Sequence, residues 1–163
     1  MKPLRLAALA VLLLSSCRAS GLAFREDDRV DILEPRSREK VTLPVTLRWE
    51  TKGLELGREG GPTRFAVFVD RAPMHPGQGL RSLGDDVCKR TPGCPDASYL
   101  RDRYIFLTKK NALELDALPD NRSSSNRTGS KDTHEVAIVL LDDADQRVGE
   151  TAYRVEFTLE RGA

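Results

Sequence analysis

The side chains best suited to chemistry in this chain are few: Cys17, Cys88 and Cys94, the two histidines His75 and His134, and a short acidic run near residue 145. Acid–base work by a histidine needs a carboxylate or a nucleophile held beside it. Asp70 lies shortly before His75 in sequence, but nothing in the spacing brings them together. His75, in Met-His-Pro, is therefore expected as an exposed loop residue, and His134, at the start of a strand after a polar loop, is expected to be the same. Asp142, Asp143 and Asp145, with Glu150, could offer oxygens to calcium. A calcium loop of the helix–loop–helix kind wants a glycine at its sixth position, and counting from Asp143 that position is Val148. The acidic residues are expected as turn residues instead. No glycine-rich phosphate loop follows a strand, no metal-type histidine cluster exists, and no Ser-His-Asp set can be assembled. No catalytic residue, no cofactor-binding residue and no metal ligand is expected, and the chain is not expected to be an enzyme.

Cys17 follows an export-type segment. Residues 1–5 carry Lys2 and Arg5, and residues 6–14 run Leu-Ala-Ala-Leu-Ala-Val-Leu-Leu-Leu without a polar side chain. A positive start and a short apolar stretch make a secretory signal, since a helix spanning the bilayer needs ~20 apolar residues. Leu14-Ser15-Ser16-Cys17 resembles the bacterial lipobox, an apolar residue and two small ones before a cysteine. That resemblance implies cleavage before Cys17 and acylation of its thiol. Two or three acyl chains then hold the protein firmly, each buried methylene contributing roughly 0.8 kcal/mol. The implied organisation is a lipoprotein signal peptide at 1–16 and a lipidated tether at 17–28, placing the protein on the cell membrane or outer membrane, facing the periplasm or the exterior.

An odd cysteine count in an exported chain requires an explanation. With Cys17 assigned to lipid, Cys88 and Cys94 remain as a disulfide pair, and Pro92-Gly93 between them is a turn signal that folds the chain back. A redox pair of the thioredoxin type would have two intervening residues rather than five. Asn121-Arg-Ser123 and Asn126-Arg-Thr128 match the glycosylation acceptor pattern, but in a bacterium they read as part of a polar loop.

Charge excludes one large class of partners. Lys+Arg 26 and Asp+Glu 25 nearly cancel, and removal of residues 1–16 takes away two cations and no acids, turning +1 into −1. No field steers nucleic acid, and aromatics at 6% are too sparse for a stacking platform, so no nucleic-acid partner is expected.

The elements that must position these residues read as strands. Val30-Asp-Ile32 alternates and stops before Pro35. Val41, Leu43, Val45, Leu47 and Trp49 fall on every second position, predicting one strand with a buried and a wet face. Pro44 within it argues for an edge or a bulge. Phe65, Val67 and Val69 form the next run, with Ala66 and Phe68 making both faces apolar. Tyr104 to Leu107 is a short strand, and Asn111 to Leu115 is strand or helical turn. Val136, Ile138 and Leu140, with Ala137 and Val139 between them, pair across an acidic turn with Tyr153, Val155, Phe157 and Leu159 as a hairpin. No amphipathic helix follows the signal, so the expected class is all-β, a single antiparallel β-sandwich over residues 29–161 with long loops at 72–103 and 118–133.

The run Val30-Asp-Ile-Leu-Glu-Pro35, followed by Leu43-Pro-Val-Thr-Leu-Arg-Trp49, resembles the opening of immunoglobulin-like and fibronectin type III-like domains of bacterial surface proteins. That resemblance implies a tryptophan on the second strand plugging the space between two sheets. The inter-sheet cysteine pair of antibody domains is lacking. Taken together, the expected function is a lipid-anchored, non-catalytic binding or structural module of the cell envelope. The membrane is held through the lipid, and an envelope protein or polysaccharide is the expected partner of loop 72–103, a long irregular segment where contacts concentrate. The alternative is an accessory subunit of an envelope secretion or assembly complex, presenting a sheet edge or that loop.

Overall fold

The structure is a computed structural model that describes residues 27–120 and 132–160. Cys17, the signal and tether segments, and the acceptor-pattern residues Asn121 and Asn126 lie outside the described residues. The strands are β1 Val30–Glu34, β2 Lys40–Val41, β3 Val45–Thr51, β4 Arg64–Val69, β5 Ile105–Thr108, β6 Ala112–Leu115, β7 Thr133–Leu141 and β8 Arg147–Leu159. They form two sheets, β1-β3-β6 and β2-β8-β7-β4-β5, the second strongly curled. The protein is all-β in its main architecture. All neighbours are antiparallel except β2, which runs parallel to β8 through Lys40↔Thr158 and Val41↔Leu159.

The strand expected over residues 41–49 is two strands in two different sheets. Val41 pairs with β8, the chain crosses over at Leu43 and Pro44, and β3 begins at Val45 between β1 and β6. Leu43, in phase with the buried residues of β3, is exposed at the crossing. Pro44 thus marks the change of sheet and precedes a central strand, whereas an edge position or a bulge was expected. From Val45 the alternation holds: Val45, Leu47 and Trp49 are buried and Thr46, Arg48 and Glu50 exposed. Residues 112–115, ambiguous in sequence, are a strand against β3.

One apolar cluster draws on both sheets, with Val45, Leu47, Trp49 and Leu115 from the first and Phe65, Val67, Ile138, Leu140 and Phe157 from the second. Trp49 meets Phe65 edge-on, ring centroids 5.3 Å apart at 78°, the arrangement that sets the positive ring edge against the negative face. Full burial of each such side chain contributes about 2–3 kcal/mol.

The five-stranded sheet has a second apolar face, foreshadowed by Ala66, Phe68, Ala137 and Val139. Residues 72–103 cover it. Met74, Leu80 and Leu100, with Leu83 and Tyr99, pack on Ala66, Phe68, Ala137, Val139 and Leu141. This segment, expected as irregular loop, contains a 3-10 turn at Leu80–Leu83 and the helices α1 Asp86–Arg90 and α2 Ala97–Arg101. Its helices are short, too brief to register as a 3.6-residue period, and each is started by an aspartate: Asp85 accepts from Cys88 N and Asp96 from Tyr99 N.

The β7–β8 hairpin forms as expected. Its register shifts between Ile138↔Tyr153 and Leu140↔Val148, so that residues 149–152 of β8 oppose the single Val139. Gly149, at φ 79°, takes the left-handed turn of this bulge. The space is filled by Arg147, which is 8% exposed. Its guanidinium donates to Met74 O at 2.6 Å and to Glu150 O at 2.5 Å, joining the cover to the bulge. Burial pulls this guanidinium below its usual range.

Candidate functional site

Two residues 64 apart in sequence form the most concentrated chemical group among the described residues. β4 ends at Val69, and Asp70 turns out of it at φ 53°, its N–H donating to Glu135 O at 2.8 Å. Asp70 Oδ1 accepts from Glu135 N at 2.9 Å, and Oδ2 meets His134 Nδ1 at 2.6 Å. Each of the two side chains is 4% exposed. The imidazole lies against the Phe157 ring, with centroids 5.9 Å apart and tilted by 32°. The expectation of an exposed His134 is overturned. The sequence held a signal for this: His134 is in phase with Val136, Ile138 and Leu140, which face the inter-sheet cluster, so strand periodicity carries it inward. His75 is exposed as expected; its backbone N–H donates to Gln78 Oε1 at 3.3 Å.

A carboxylate holding one imidazole nitrogen is half of a proton relay. The pair ties the end of β4, where the cover departs, to the start of β7. Three open hollows are lined by described residues, between β1 and β8, around residues 53–62, and beside Pro35 and Pro44.

The acidic turn is occupied by its own geometry. Asp142 Oδ1 accepts from Ala144 N at 3.0 Å and from Gln146 N at 2.8 Å. Asp145 sits at φ 61° and pairs with Arg64. Among the described residues, no group of three His, Cys, Asp or Glu side chains is arranged to hold a metal ion.

Asp27 and Tyr153 line the hollow between β1 and β8, about 420 Å³ in volume. Arg29 makes a two-pronged contact with Asp27, Nε to Oδ1 at 2.9 Å and the terminal nitrogen to Oδ2 at 2.8 Å. That contact holds the Asp27 carboxyl at about 2. Burial, reinforced by the neighbouring Asp27 carboxylate, pushes the Tyr153 phenol to about 12. Val30, Ile32 and Val155 also line this hollow.

Cys88 and Cys94 lie at disulfide distance, 1.96 Å between sulfurs, within the cover. They join the middle of α1 to the chain just before α2. Asp85 is the hub of this knuckle. Besides capping α1, its N–H donates to Tyr99 Oη at 2.8 Å, and Arg103 reaches its Oδ2 at 3.0 Å while lying 3.5 Å above the Tyr99 ring. The N–H of Cys88 holds the Asp85 carboxyl below the usual carboxylate range.

Comparison with known protein families, with curated proteins and with solved structures finds no match to this chain.

Proposed function

We propose that this chain is a lipid-anchored, non-catalytic binding or structural module of the bacterial cell envelope, built on an immunoglobulin-like β-sandwich. The observation that carries the sandwich reading is the strand order. In immunoglobulin-like domains the first, second and fifth strands share one sheet, while the third, sixth and seventh form the other. Here β1-β3-β6 stands against β2-β8-β7-β4-β5, and the first strand divides between the sheets as β1 and β2. Trp49, buried on β3 and meeting Phe65 of the other sheet, supports the same reading. The cysteine pair differs from that of antibody domains, since both residues lie in the cover rather than across the sheets.

The non-catalytic reading is supported by where the polar chemistry goes. Asp70 and His134 clasp two strands, Asp142 and Asp145 build a turn, and Asp85 caps a helix. The anchor rests on Leu14-Ser15-Ser16-Cys17. The test is the intact mass of the protein extracted from membranes. Acyl mass on an N-terminus at Cys17 is the expected result, with Cys17→Ser moving the chain to the soluble fraction. An unmodified N-terminus elsewhere would overturn the anchor.

A further inference from the structure

We draw no further inference here: the strongest candidate, the open hollow between the edges of β1 and β8 lined by Val30, Ile32, Tyr153 and Val155, carries nothing, because its carboxylates Asp27 and Asp31 are already paired with Arg29 and Lys52 and nothing in the structure shows what covers it.

Discussion

His134 Nδ1 and Asp70 Oδ2 meet at 2.6 Å beneath the surface, tying the point where the cover leaves β4 to the first residues of β7. Asp70 makes three bonds to the two residues Glu135 and His134, through its N–H and both carboxylate oxygens, so the pair is a joint between long-range segments rather than a local turn.

Removing one member of this joint takes a buried hydrogen bond from the other. Asp70→Ala and His134→Ala should each lower unfolding free energy by about 2 kcal/mol, the cost typical of taking a hydrogen bond from a buried polar group. Urea unfolding of both single variants and the double variant checks this. The double loss should fall short of the summed single losses by more than about 1 kcal/mol, since the two residues share one interaction. Additive losses would show that they act independently.

Stability should form a plateau bounded by two titrations at the β1–β8 hollow. The Asp27 carboxyl is held at about 2 against an ordinary 3.8, so its contribution is present above pH 3.8 and lost as pH falls toward 2. Tyr153, raised to about 12 from 10.0, contributes stability below pH 10 that is lost as pH rises toward 12. Solvent screening reduces the acid step to about 1 kcal/mol. Chemical unfolding across pH should show both limbs, with Asp27→Asn flattening the acid one and Tyr153→Phe the alkaline one.

Arg147 spans two carbonyls that an ammonium cannot bridge in the same way. Arg147→Lys should cost about 2 kcal/mol, leaving Met74 O or Glu150 O without its donor. Amide exchange should quicken at Gly77 and Leu80, whose N–H groups bond Arg147 O and Asp145 O. Unchanged exchange there would show that Arg147 does not hold the cover.

The disulfide closes a short loop, a sequence separation of 6. Its removal by Cys88→Ala with Cys94→Ala should cost about 2 kcal/mol, the value for loops of this size. The loss should be local, with exchange protection falling in α1 and persisting in β4 and β7. Global loss of protection would mean that the knuckle is part of the cooperative core.

Alternation was enough to place β3, β4, β7 and β8, because a half-buried strand writes its two faces into every second residue. It failed at residues 41–49, where Val41 and Val45 obey one period but belong to different sheets. Period two reports which way a side chain faces and is silent on which neighbour the backbone pairs with. It also held unused information. The apolar residues between Phe65, Val67 and Val69 required something to cover the second face, and the phase of His134 pointed it inward.

By itself the sequence determined the all-β class, the β7–β8 hairpin with its acidic turn, and the candidate pairing of Cys88 with Cys94, since these depend on local periodicity and short spacing. Only the tertiary structure decided that residues 72–103 fold onto the sheet, that Arg147 fills the β8 bulge, and that Asp70 meets His134. Those relationships arise from closure of long loops, where distant residues meet because apolar faces must be covered and buried polar groups must be satisfied. No local pattern encodes such a meeting.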